Sequence, residues 1–175
     1  TADSKGNMVS FIQSNYMGFG SGVVIEGTGI AMQNRGHTFS LDENHDNCLQ
    51  PRKRTYHTII PGFIMKDSKA VGPFGVMGGF MQPQGHLQVA MNLIDFKMDP
   101  QSALDAPRFR WDKDLKVGVE HSMDTHTAQQ LQQLGHHISV DLYGGGFGRG
   151  QIILKQENGY KAGTETRCDG FIAYY

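Results

Sequence analysis

The sequence is poor in charge, cysteine and proline. Charged residues make up 19% of the 175-residue chain, against a usual ~25%. The 16 lysines and arginines nearly balance the 17 aspartates and glutamates, for a net charge of −1 with histidine neutral. So even a balance leaves no electrostatic footprint for nucleic acid or an anionic membrane. The only cysteines are Cys48 and Cys168. Two distant thiols are neither a disulfide framework nor a CxxC metal site, and they specify no compartment. Six prolines without a period exclude collagen and proline-rich disorder. No apolar run approaches the ~18 residues of a membrane span. The opening Thr1-Ala2-Asp3-Ser4-Lys5 lacks the basic stretch and apolar core of a signal peptide. It also lacks an initiator methionine, so Thr1 is either a product of processing or an arbitrary boundary. The eight histidines show no HExxH or similar ligand spacing, so no metal site is expected.

Glycine is what the chain has in excess. Its 23 residues are about twice the usual share, which predicts many tight turns and close backbone approaches. The length fits one domain that buries a core without staples. Apolar runs predict strands at Met8–Gln13, Val23–Ile25 (β-branched, so expected to be buried), Ile30–Asn34, Leu115–Val119, Ile138–Leu142 and Gln151–Leu154. A hairpin is expected from Thr58–Met65 through Lys66–Lys69 to Ala70–Met77, closed by Gly78-Gly79. A polar stretch from Ser40 to Thr55 reads as a long surface loop. Helices are expected over His86–Met98, Pro100–Asp105 and Asp124–Leu134, the last with Gly135 past its end. Strands, then helices, then strands argue α+β with an antiparallel sheet.

Five features bear on chemistry, each with a plainer reading beside it. A terminal threonine such as Thr1 can use its own α-amine to activate its hydroxyl, or it marks only a boundary. Gly78-Gly79 ends an apolar strand, so two successive N–H groups can face an oxyanion, or they form a tight turn. Gly144–Gly150 is glycine-rich, but a strand rather than a helix follows it and no Walker lysine is present. It reads as a close-packed connection rather than a phosphate loop. Adjacent His136 and His137 face opposite sides of a strand. Arg35, after a strand pattern, can grip a carboxylate in bidentate fashion or form a surface ion pair.

Taken in order, several short motifs resemble one family. They are Asp3-x-x-Gly6-Asn7-x-Val9-Ser10, Phe19-Gly20-Ser21-Gly22, Gly29-Ile30 with Asn34 and Phe39-Ser40, and Lys53-Arg54. Gly78-Gly79, Asp105-Ala106-Pro107-Arg108-Phe109, Arg167 and Asp169-Gly170 follow. The set is similar to the small subunit of the γ-glutamyltranspeptidase family, which includes cephalosporin acylase-like members. The resemblance covers nearly the whole chain. It implies a precursor that cuts itself into two subunits sharing a four-layer αββα sandwich of the N-terminal-nucleophile type. Residues 1–175 would be the small subunit, with the large subunit of the same precursor as partner. The new N-terminal threonine would attack a γ-glutamyl or glutaryl-type amide, and an acyl-enzyme would pass its acyl group to an amine or water. Gly78 and Gly79 would supply the oxyanion hole, and Asn15 would order the site. No cofactor is implied. A targeting signal would sit on the large subunit, so secreted, periplasmic and cytoplasmic locations all stay open.

Two departures sharpen the expectation. The family's transpeptidases place Gln and Asp, which grip an α-amine, where this chain has Arg35 and Thr38. Arginine cannot accept a hydrogen bond and repels an ammonium. The family's Ser-Ser-Met segment, which holds the α-carboxylate, reads His57-Thr58-Ile59 here. An acyl group with a carboxylate and no amine, glutaryl-like, suits Arg35 better. The alternative is an altered family member that serves as a binding or structural subunit. The second departure concerns the nucleophile. Thr1 stands about five residues closer to Asp3 than the family's threonine stands to its aspartate. That is roughly 16 Å of extended chain, so either Thr1 is the nucleophile of a changed hairpin or the nucleophile lies upstream.

Overall fold

The computed structural model describes residues 1–143 and 145–175. The chain divides into two compact units, one of residues 1–11 with 61–175 and one of residues 12–60. The smaller unit has little regular structure. Two short antiparallel strands, β1 (Val24–Ile25) and β2 (Ile30–Ala31), precede a 3-10 turn over Arg35–Thr38. The expected strand over Val23–Ile25 is therefore present, but its side chains are 43–55% exposed rather than buried. β-Branching set the extended conformation; nothing in this unit covers it.

The larger unit carries two sheets. Strands β3 (Gly62–Lys66), β4 (Lys69–Met77), β8 (Arg149–Gln156) and β9 (Gly159–Thr164) form an antiparallel sheet in the order β3-β4-β8-β9. Its first hairpin turns through Asp67 and Ser68, both at positive φ (49° and 60°), as a tight turn matched to strand twist requires. A turn at Glu157-Asn158 joins β8 to β9. The second sheet is β5 (Phe109–Lys113), β6 (Lys116–Glu120) and β7 (His137–Asp141). Here β6 runs parallel to β7, because α3 (Thr125–Gln133) supplies the crossover between them. The expectation of a purely antiparallel arrangement is corrected at this pair. Met8–Gln13 forms no continuous strand, only a bridge between Ala2 and Met8. β5 was not among the expected strands, although Phe109 and Trp111 alternate with Arg110 and Asp112 over its short length.

Two further helices pack on one face of the four-stranded sheet. α1 (Gln82–Ile94) starts four residues earlier than expected, with Pro83 in its first turn, where its missing N–H costs nothing. It crosses β4 at Gly85, where a Cβ would stand 2.7 Å from Val76 Cγ1. α2 (Pro100–Asp105) is capped by the Asp99 side chain, which accepts from the Gln101 and Ser102 N–H groups. Val76, Val89, Ala103, Leu104 and Ile152 form the core between helices and sheet. The other flank of α1 keeps Leu87, Met91 and Ile94 exposed, and the other face of the sheet keeps Phe63, Met65 and Met77 exposed. The fold is α+β with open sheets. No described helix is long and apolar enough to cross a membrane.

A buried ionic cluster binds these elements together. Arg108, 1% exposed, donates from Nη2 to Glu165 Oε2 at 2.9 Å and to the Leu104 carbonyl at 3.1 Å. Arg167 spans both carboxylates, with Nη1 2.7 Å from Glu165 Oε1 and Nη2 2.6 Å from Glu120 Oε2. Glu120 Oε2 also accepts the Arg108 N–H, and Glu165 Oε2 accepts the Gly150 N–H, both at 2.8 Å. Two cations and two anions cancel, and backbone groups take most of the remaining valences, although the buried Arg108 Nε has no partner among the described residues. Burial alone would raise the Glu165 pKa. The Arg108 charge, hydrogen bonds from Arg167 and the Gly150 N–H outweigh it and hold the carboxyl below its usual value.

The sign of the pH effect follows. Glu165 favours its charged form in the folded state. Its stabilisation is complete above the ordinary glutamate pKa of ~4.3 and fades as pH falls through the lower folded value. Replacing Glu165 by Gln should cost on the order of 3–5 kcal/mol near neutral pH, since it strands buried guanidinium charge. Thermal unfolding of the whole protein from pH 7 to pH 3 checks both points. Glu165→Gln should show a much lower melting temperature at pH 7 and a shallower decline below pH 4.

Candidate active site

β4 ends at Met77, and the chain turns sharply at Gly78 (φ 149°) and Gly79 (φ 59°) into α1. Both angles are strained for any residue with a side chain. Gly78 also has little room for one, since a Cβ would lie 3.1 Å from the Gly148 Cα. Among the described residues, no protein acceptor takes the N–H of Gly78 or Gly79. The turn thus offers two backbone donors at the start of a helix, where the peptide dipoles favour negative charge.

The loop facing this turn is fixed from behind. Arg108 Nη1 donates to the carbonyls of Phe147 (3.1 Å) and Gly148 (3.0 Å). Arg110 Nη1 donates to the Gly146 carbonyl at 3.2 Å, and its guanidinium stacks on the Phe147 ring at 5.2 Å. The ionic cluster therefore reaches the twin glycines through Gly148. Gly144–Gly150 was expected to be a close-packed connection. Gly144 lies outside the described residues; Gly146, Gly148 and Gly150 are packed so closely that a Cβ on any of them would overlap a neighbour.

Thr1 is a rung of the N-terminal hairpin. Its α-amine donates to the Val9 carbonyl at 2.9 Å, and its own carbonyl accepts from the Val9 N–H at 2.9 Å. The turn below it is set by the Asp3 carboxylate, which accepts from the N–H groups of Lys5 and Asn7. Tyr160 anchors it by donating to the Asp3 carbonyl at 2.7 Å.

In the smaller unit, Arg35 and Thr58 are brought together, as their assignment to one subsite requires. Arg35 Nε donates to Thr58 Oγ1 at 3.0 Å, and Nη2 donates to Ser14 Oγ at 2.9 Å. The guanidinium stands 5.9 Å from the Tyr16 ring centre. Thr58 is 2% exposed. Among the described residues, no carboxylate lies within ion-pair distance of Arg35. Thr38 donates to the Arg35 carbonyl at 2.8 Å and meets Thr55 Oγ1. Asn47 donates to the Thr38 carbonyl at 2.7 Å. Thr38 is thus occupied in bracing the 3-10 turn that presents Arg35. Asn15 accepts the Asn34 N–H on its own carbonyl at 3.1 Å, and His57 is exposed. Ser14 and Tyr16 went unnoticed in the sequence because ordinary polar residues in an irregular segment carry no pattern. No group of three metal-ligating side chains occurs among the described residues.

The family model described as gamma-glutamyltranspeptidase matches residues 1–175. A glutathione hydrolase-like proenzyme (YwrD) of Bacillus subtilis is 41% identical over 96% of this chain and 33% of its own length. An oxamate amidohydrolase proenzyme of Klebsiella pneumoniae is 34% identical over 99% of this chain and 34% of its own. The chain thus spans about a third of these curated relatives. Among solved structures, a cephalosporin acylase of Bacillus halodurans superposes with a TM-score of 0.95 at 64% identity, over 99% of this chain and 33% of that one. A γ-glutamyltranspeptidase of Pseudomonas nitroreducens superposes at 0.88 and 22% identity, over 100% of this chain and 97% of that one, which shows the shared fold. The family match spans the whole of residues 1–175, and the chain belongs to the γ-glutamyltranspeptidase family.

Proposed function

We propose that this chain is the small subunit of a self-processed, two-subunit amidohydrolase or acyltransferase that cleaves glutaryl- or γ-glutamyl-type amides. The Gly78-Gly79 turn carries the reading, because its donors are preorganised and its backing is rigid. An N-terminal threonine hydroxyl attacks the amide carbon and passes its proton to its own α-amine. The N–H groups of Gly78 and Gly79 receive the developing oxyanion. Collapse breaks the C–N bond, and the ammonium returns the proton to the leaving amine. Water or a second amine then takes the acyl group. Thr1 is a ladder rung beside the Asp3 turn, which favours a threonine on its N-terminal side as the nucleophile over Thr1 itself.

A large-subunit partner is supported by the proenzyme names of the relatives and by the share of their length matched. The exposed flank of α1 and the open face of β3-β4-β8-β9 are the surfaces such a partner would cover. Arg35, with Thr58 beside it, is the acyl selector: a guanidinium without an acidic partner favours a carboxylate and repels an α-ammonium. Asn15 and His57 would line the same subsite, and Thr38 would support it. The second reading, a binding or structural subunit, draws on the same replacements at Arg35, Thr38 and His57.

Three outcomes are expected with the complete two-subunit protein. A slow glutaryl ester or anilide should leave an acyl adduct on an N-terminal threonine, seen by mass spectrometry. An intact threonine terminus with neither turnover nor adduct would establish the structural-subunit reading instead. Gly78→Ala should lower kcat by on the order of 10²-fold, with KM changed far less and the melting temperature checked in parallel. Arg35→Gln should reduce kcat/KM for the glutaryl anilide about tenfold or more without lowering turnover of the γ-glutamyl anilide. Unchanged glutaryl hydrolysis would remove Arg35 from the acyl subsite.

A further inference from the structure

Arg35 uses only part of its donor set within the protein. Nε donates to Thr58 Oγ1, and Nη2 donates to Ser14, at 2.9 Å to Oγ and 3.3 Å to the carbonyl. Among the described residues, Nη1 has no acceptor. Its two hydrogens are the part of the guanidinium left for a ligand.

The Ser14 hydroxyl is constrained further. Its Oγ accepts the Tyr16 N–H at 3.2 Å as well as the Arg35 Nη2. A hydroxyl oxygen has two lone pairs and one hydrogen. Both lone pairs are filled, so Ser14 can only donate, and no acceptor for its hydrogen occurs among the described residues. Two bonds that do not involve this hydroxyl hold it beside Arg35. The Met17 N–H donates to Asn34 Oδ1 at 3.0 Å, and the Asn34 N–H donates to the Asn15 carbonyl at 3.1 Å. Between them Tyr16 sits at φ 76°, a conformation that a bulky residue keeps only where its surroundings hold it.

A serine ordinarily suits a carboxylate and a carboxamide alike, because it can donate to one and accept from the other. Ser14 has lost the second option. We propose that Ser14 Oγ and Arg35 Nη1 together hold the carboxylate at the far end of the acyl group, and that Ser14 separates a free acid from its terminal amide. The carboxamide has nearly the same shape, but its NH2 would face a donor and stay unpaired. The acyl group is then that of a dicarboxylic acid whose second carboxyl is free, and ω-carboxamides are rejected. This rests on the reading of Arg35 as the acyl selector.

The test uses the complete two-subunit protein and two 4-nitroanilides of glutaric acid, one ending in the free carboxylate and one in the carboxamide. The parent should favour the acid in kcat/KM by on the order of 10²-fold. In Ser14→Ala, kcat/KM for the acid should fall about tenfold, through KM rather than kcat, while the amide does not fall with it. Ser14→Thr, which keeps the hydroxyl, should retain most of the preference. An equal loss on both anilides, or a Ser14→Ala variant as selective as the parent, would overturn the role of Ser14 while Arg35→Gln still lost the acid. If Arg35→Gln left turnover of the acid unchanged, the acyl-selector reading itself would fall, and the Ser14 contact with it.

Discussion

Everything near the twin glycines depends on two buried guanidinium groups being neutralised. The four residues come from three stretches of chain: Arg108 before β5, Glu120 at the end of β6, and Glu165 with Arg167 just after β9. Placing any one of the four in the interior without the others would leave an ion where water cannot reach it. The set is therefore an all-or-none constraint. Once satisfied, it ties the end of α2, the start of β5, the end of β6 and the segment after β9 to one point. Arg108 then has a second nitrogen left over, and it spends that donor on the Phe147 and Gly148 carbonyls. The position of the loop opposite Gly78 is thus set by charge neutrality deep in the fold.

Much of this was legible in the sequence as identity and little of it as geometry. Asp105–Phe109 and Arg167 were recognised among the motifs that carry the resemblance, but Glu120 and Glu165 were not singled out. A glutamate closing a strand, or following one, has no local signature; only its partners across the fold make it special. Helices and turns read well because their signals are local. Asp99 before Pro100, Asp124 before Thr125 and Gly135 after α3 marked real ends. The parallel β6-β7 pair was missed because pairing direction depends on where the crossover helix packs, which no window of sequence contains.

The smaller unit shows the opposite failure. Val23, Val24 and Ile25 were expected to be buried from their composition, and they are extended but exposed. Within this unit, order comes from polar side chains instead: Asn47 braces the Thr38 carbonyl, and Thr38 braces the 3-10 turn that carries Arg35. A guanidinium supported by hydroxyls and an aromatic ring, with no acid beside it, keeps its charge available. That is a different solution from the core of the larger unit, where every positive charge is matched internally. The same residue type is matched by carboxylates in one place and held by hydroxyls in another.

The ionic cluster also has a consequence in time. Gly78 precedes Glu165 and Arg167 in the chain, and these two follow only after β8 and β9. Until they arrive, Arg108 lacks its Glu165 partner, and the cluster that backs Gly148 is incomplete. A nascent chain therefore carries the twin-glycine turn without its backing. The turn at Gly78 thus reaches its folded surroundings only when the later segment with Glu165 and Arg167 is in place.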